Sequence, residues 1–250
     1  MALALILVFV MIERRSIAPL VPFRIFRLRT LTGANVIGLL LGASLFSMFF
    51  FLSRYMQEVL RYDALKTGLS YLPLALVIIV SAGLASQLVT KIGFKPVLLI
   101  GLVLVTIGLL WFTQLPVDGV YLSDILAPMV LAAFGLGFAF VPVTIAAVSG
   151  ISQDDSGLAS GLINTSQQIG GALGLAVLAT IASTRTLDLT PAGLAPGMPA
   201  PPDALTEGFN LAFLAGAGFA LLGIAAALLM IRTPDSRALV GADPAELPLA

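Results

Sequence analysis

The sequence predicts an all-α, polytopic membrane protein: a six-helix bundle preceded by the end of one further transmembrane helix. Three observations lead there. Apolar residues make up 59% of the chain and charged residues only 10%, against about a quarter charged in an ordinary soluble domain. The apolar residues fall in six blocks, approximately Leu31–Ser53, Thr67–Val89, Val97–Gln114, Ser123–Val148, Gly157–Ser183 and Gly208–Ile231. Each is close to the roughly 20 helical residues that cross about 30 Å of hydrocarbon. Charged residues leave the centres of these blocks clear. That clearance is decisive, because a mid-helix Arg costs about 2.5–3.5 kcal/mol while each Leu, Ile, Val or Phe returns only about 0.3–0.6.

Met1–Ile12 is apolar but spans only 12 residues, roughly 18 Å of helix. No basic residue precedes it, and Glu13, Arg14 and Arg15 follow it, the reverse of a signal peptide. It reads as the tail of a truncated transmembrane helix. Residues 13–30 form a basic loop, 31–232 the six-helix bundle and 233–250 a tail without regular structure. The spacers are short and hold turn formers, such as Gly93 and Pro96 after the second block and Pro116, Asp118 and Gly119 after the third. Thr184–Glu207, with Pro191, Pro196, Pro199, Pro201 and Pro202, reads as an exposed loop without a helix of its own. Lys and Arg set the orientation. Arg14, Arg15, Arg24, Arg27, Arg29, Lys91, Lys95, Arg232 and Arg237 share one side, and Arg54, Arg61, Lys66 and Arg185 the other. The richer side is cytoplasmic by the positive-inside rule, which puts the C-terminus inside and the protein in the cell membrane.

Composition also excludes. A formal net charge of zero gives no footprint for nucleic acid. With neither Cys nor His, disulfides, thiolate chemistry, His-based triads and most zinc sites are ruled out, so no enzyme, metal or cofactor is expected. The partner that composition implies is the lipid bilayer.

Polar residues inside the blocks are the candidates for function. In the fifth, Ser160, Asn164, Gln167, Gln168 and Gly171 recur at three- and four-residue intervals and form one polar stripe. Such amides serve either as hydrogen-bonding glue between helices or as the wall of a water-filled cavity. Gly157/Gly161 and Gly170/Gly174 are G-x-x-x-G pairs, a packing signal. The first block carries Ala34, Gly38 and Gly42 on a small-residue stripe, with Asn35, Ser44, Ser47 and Met48 as pathway candidates. The fourth carries Phe134 and Phe138 one turn apart, Thr144, and Pro142 within Gly135-Leu-Gly-Phe-Ala-Phe-Val-Pro142. A proline there bends the helix and frees a carbonyl.

Between the second and third blocks lies Gly83-Leu-Ala-Ser-Gln-Leu-Val-Thr-Lys-Ile-Gly-Phe-Lys-Pro96. It resembles a weakened form of the cytoplasmic loop motif of the major facilitator superfamily. Lys91, Gly93 and Lys95 match, whereas Thr90 stands where an acid is expected, which favours a tight turn over a charge relay. Further features are Glu13-Arg14-Arg15, Pro19-Leu20, Arg24-Ile25-Phe26, Tyr55-Met56-Gln57, Gly68 through Leu72-Pro73, Gly135 through Pro142 and the Gly157–Gly174 string. In this order they are similar to the C-terminal part of the fourteen-helix drug:proton antiporter branch, the EmrB/QacA subfamily. The resemblance implies that Met1–Ile12 ends the eighth helix and that the six blocks are helices nine to fourteen. It implies a missing N-terminal transporter bundle as partner. It also implies a six-helix bundle of two inverted three-helix repeats, in which the first and fourth spans line the cavity, the second and fifth meet the partner, and the third and sixth are peripheral.

The function so implied is half of a proton-coupled exporter of hydrophobic or amphipathic small molecules, working by alternating access and powered by the proton gradient. The alternative is a non-transporting membrane remnant or assembly partner. Proton coupling needs a titratable group within the membrane. The centres of these blocks offer none, so the absent bundle would have to supply it.

Overall fold

The computed structural model describes Val8, Met11, Ile12 and residues 23–152, 155–191 and 199–237. After a single 3-10 turn, Phe23–Arg27, six long helices follow, each long and apolar enough to cross a membrane. They are α1 (Arg29–Val59), α2 (Ala64–Ile92), α3 (Phe94–Phe112), α4 (Tyr121–Val148), α5 (Ser156–Leu189) and α6 (Pro202–Met230). No strand occurs among the described residues.

The helix ends have local causes. The Asp63 carboxylate accepts from the Lys66 N–H at 2.7 Å and starts α2, satisfying a donor that the helix leaves unpaired. Pro202 opens α6, a place where a missing N–H is harmless. Wide π turns shape the C-terminal end of α1 (Tyr55–Val59) and the start of α4 (Tyr121–Leu126). Asp124, which falls inside the fourth block as delimited from sequence, lies in that second π turn and accepts from the Val120 N–H at 2.7 Å. It is an end-capping acid, outside the apolar centre of the span.

Two expectations need correction. Thr184–Glu207 is not devoid of helix: α5 continues to Leu189 and α6 begins at Pro202. Nothing in Thr184–Leu189 breaks a helix, and Gly208 lets α6 press against Thr186 and the Ala182 carbonyl, so the two helices stay packed beyond the apolar stretch. The tail is not wholly irregular either. Thr233–Arg237 forms a helical turn, and Ser236 is fully buried. Residues 1–7 and 238–250, most of the expected truncated helix and of the tail, lie outside the described residues.

Packing has an internal pairing. α1 packs most extensively on α5 and then on α6, and α4 packs on α3 and α2; α6 also touches α3 and α5. Exchanging α1 with α4, α2 with α5 and α3 with α6 preserves this pattern of neighbours, as two inverted three-helix repeats require. In the most apolar stretch of each helix 56% of α1 and 67% of α4 is buried, against 22% in both α2 and α5. The first and fourth helices therefore form the centre, and the second and fifth the two open flanks. Phe51 of α1, Phe112 of α3 and Phe209 and Phe213 of α6 fill the core, with ring centroids 5.1–6.3 Å apart. At Gly170, α5 comes so close to α1 that any Cβ would overlap the Leu39 carbonyl. Contact without side chains is how membrane helices gain dispersion energy when lipid is as apolar as they are.

Candidate functional site: the inner face of the bundle and the open face of α5

Half-buried positions on α1 and α4 outline a face that the six helices do not close. On α1, Leu45, Phe49 and Ser53 recur every fourth residue and are half-buried. Tyr71, at the joint between the two segments of α2, leans on them. Its ring lies 5.3 Å from that of Phe49, its hydroxyl donates to the Phe49 carbonyl at 3.0 Å, and its oxygen lies 2.9 Å from Ser53 Oγ. On α4, Phe134 is half-buried and stacks on Phe138 at 4.9 Å with planes 27° apart. Thr144 is half-buried, with its hydroxyl returned to the Phe140 carbonyl of its own helix at 2.9 Å. Phe49, Tyr71 and Ser53 were not singled out from sequence. Their signal was an aromatic two residues ahead of Pro73 and a serine at a helix end, both ordinary at a membrane interface.

Three pathway candidates on α1 lie elsewhere. Ser44 is 1% exposed and donates to the Leu40 carbonyl and to Gly216 of α6, both at 3.1 Å. Ser47 is 2% exposed, with no hydrogen-bond partner among the described residues, and Met48 is 1% exposed. Their three- and four-residue spacing is real, but the face it defines is the one sealed inside the bundle. Asn35 is half-buried. Its Nδ2 donates to Leu31 O at 2.9 Å, and its Oδ1 accepts from Ser166 Oγ of α5 at 2.8 Å.

The polar stripe of α5 divides. Ser160 and Gln167 are half-buried, the latter beside Gly42 of α1, while Asn164 and Gln168 are exposed. Among the described residues the Asn164 amide bonds within its own helix, to Ser160 O at 3.0 Å. Gly157, Gly161 and Ala172 continue the same open side, and a Cβ at either glycine would meet nothing within 4 Å. The G-x-x-x-G pairs thus have separate fates. Gly170 and Gly174 are used up against α1, and Gly157 and Gly161 face empty space.

The loop motif is a clasp. Gly93 ends α2 with φ +86°, a conformation open to glycine, and α3 starts at once with Phe94. Gly93 is buried against Ser236. Lys95 donates its backbone N–H to Ser236 Oγ at 2.7 Å, and its Nζ to Ile231 O at 2.5 Å and Leu228 O at 3.2 Å. A cation on the last carbonyls of α6 satisfies acceptors the helix cannot and meets the negative end of its dipole. Lys91 is exposed, and Thr90 turns its hydroxyl back to Gln87 O at 2.8 Å. Among the described residues no group of acidic side chains is placed to hold a metal ion.

Comparison with known proteins adds two kinds of likeness, to a family profile and to individual relatives. The sequence profile of the Major Facilitator Superfamily matches residues 2–175. The cephamycin export protein CmcT of Amycolatopsis lactamdurans is 39% identical over 183 residues, covering 72% of this chain and 38% of that protein. A puromycin resistance protein of Streptomyces alboniger is 31% identical over 237 residues, covering 93% of this chain and 46% of its own length. A lincomycin resistance protein of Streptomyces lincolnensis is 31% identical over 229 residues, covering 92% and 44%. The chain spans less than half the length of these relatives.

Proposed function

Because this chain belongs to the Major Facilitator Superfamily, we propose that it acts as one six-helix bundle of an exporter for hydrophobic or amphipathic small molecules, placed in the fourteen-helix drug:proton antiporter branch. It sits in the cell membrane with both ends of the bundle in the cytoplasm. Substrate moves past the half-buried faces of α1 and α4, where Phe134, backed by the buried Phe138, with Phe49 and Tyr71 offers aromatic surface and Asn35 and Thr144 offer polar atoms. A partner bundle closes the other side.

The observation that carries this reading is the open face of α5. Asn164 and Gln168 point away from the other five helices, and an amide left in hydrocarbon is unfavourable by about 0.6–2 kcal/mol relative to one that finds a partner. A second bundle, or the water between two bundles, supplies that partner. The names of the relatives, an antibiotic export protein and two antibiotic resistance proteins, agree with an exporter. No acid occupies the centre of a described span, so proton coupling depends on carboxylates outside this bundle, and the chain alone does not transport.

The test is made in a transporter that has this chain as its second bundle. Asn164→Leu with Gln168→Leu should lower export about tenfold or more, while Leu222→Ala on the lipid side of α6 should leave it within twofold. Equal effects would reduce the α5 amides to general packing.

A further inference from the structure

Among the described residues, arginines collect in one place. A cleft of about 630 Å³ lies where the first turn of α1, the α4–α5 turn and the exit of α6 meet, and Arg27, Arg29, Thr30, Ser149 and Arg232 line it. No acid is among its described lining residues. Clefts at the opposite end each include an acid. One is lined by Arg54, Arg61 and Glu58, and Arg54 holds Glu58 through two bonds of 2.7 and 2.8 Å. In two others, Arg185 stands 3.5 Å from Glu207.

Three guanidiniums around one opening repel each other unless an anion lies between them, and their planar forks suit the oxygens of a phosphate. Arg29 is held in place by donation to Leu229 O at 2.7 Å, which leaves its other N–H groups for a ligand. The level of the cleft is fixed as well. Arg29 is the first residue of α1 and Arg232 lies two residues beyond the end of α6, so the opening sits where apolar helix gives way to headgroups.

We propose that this cleft binds a phosphate-bearing anion, the headgroup of an acidic phospholipid in the adjoining leaflet. Basic pockets between membrane helices bind such headgroups by the same combination of charge and depth. The proposal rests on the helices spanning the bilayer and not on transport, so a failure to export leaves it standing.

The test is native mass spectrometry of the purified full chain titrated with phosphatidylglycerol or phosphatidylcholine of equal chain length. The wild type should hold the acidic lipid in preference. Arg27→Gln with Arg232→Gln should weaken that binding roughly thirtyfold, the equivalent of two basic side chains at a membrane surface. Circular dichroism should show that this variant keeps its helix. The charge-keeping pair Arg27→Lys and Arg232→Lys should bind within a few-fold of wild type, and Lys66→Gln with Arg185→Gln at the opposite end should bind as wild type does. If millimolar inorganic phosphate displaces the lipid, the site stands as one for a free phosphate anion; if it does not, the lipid headgroup is the ligand. Equal affinity of the wild type for both lipids, undiminished binding in the Gln pair, or the same loss in the opposite-end pair would each overturn the proposal.

Discussion

Helices α2 and α5 hold matching places on the two flanks of the bundle and are equally little buried, yet they turn different chemistry outward. Through its middle α2 exposes Leu72, Leu76, Ile79 and Val80, which lipid tails cover without loss, and its exposed amide, Gln87, lies in its last two turns. α5 exposes Ile169, Leu173 and Val177 on one side, but on another it exposes Asn164 and Gln168 beside small residues in mid-span, and lipid cannot satisfy an amide. Low burial in a membrane bundle is therefore no sign of a missing neighbour; the polar content of the exposed face is. Glycine repeats the lesson within α5, where Gly170 is pressed on the Leu39 carbonyl and Gly161 meets nothing.

The largest effect should come from placing a side chain at these two glycines. Gly170→Leu drives its side chain into the α1 backbone and should destabilise the chain by about 3 kcal/mol. Gly161→Leu should change stability by no more than about 0.5 kcal/mol, while preventing association with a partner bundle. Thermal unfolding in detergent reads the first effect, and co-purification of the two halves reads the second. Similar losses of stability at both sites would erase the distinction between the faces.

Next in size is the clasp at the end of α6. Lys95→Met removes a charged donor from two carbonyls and should cost about 1–2 kcal/mol. Lys91→Met on the same turn, with its side chain exposed, should cost almost nothing. Unfolding midpoints of the two variants measure the difference, and equal midpoints would show that Lys95 contributes only charge to the surface.

How much of this was legible beforehand depends on where each residue sits relative to the hydrocarbon. Within it, apolar composition determines the helices, so all six spans and their order were readable. Beyond it that constraint lapses, and the extra turns at Thr184–Leu189 and Pro202–Glu207 were read as loop because proline was counted without regard to position: Pro202 starts a helix. A polar stripe was visible on α5, but the pattern of one helix cannot say which neighbour it meets. Ser166, off the stripe, is the residue that bonds Asn35, and Ser44 turned to α6. The two G-x-x-x-G pairs have the same spacing, and only the placement of α1 separates them. At the motif the tight turn at Gly93 is present, but the contact of Lys95 with Ser236 crosses 141 positions of sequence and left no local trace.

The smallest effect belongs to the side-chain bond between Asn35 of α1 and Ser166 of α5. Ser166→Ala should cost about 0.6 kcal/mol, and a double-mutant cycle with Asn35→Ala should return that value as the coupling. Zero coupling would mean that glycine contacts alone hold α5 to α1.

The central claim, that the open face of α5 meets a partner bundle or water while that of α2 meets lipid, can be measured directly. The chain has no cysteine, so single spin labels at Gln168→Cys and Ile79→Cys, in a transporter assembled in lipid, report accessibility to oxygen and to a water-soluble nickel chelate. The label on α2 should be accessible to oxygen. The label on α5 should be shielded from oxygen and either immobile or accessible to nickel. If both are equally oxygen-accessible and mobile, α5 faces lipid as α2 does, and the account is wrong.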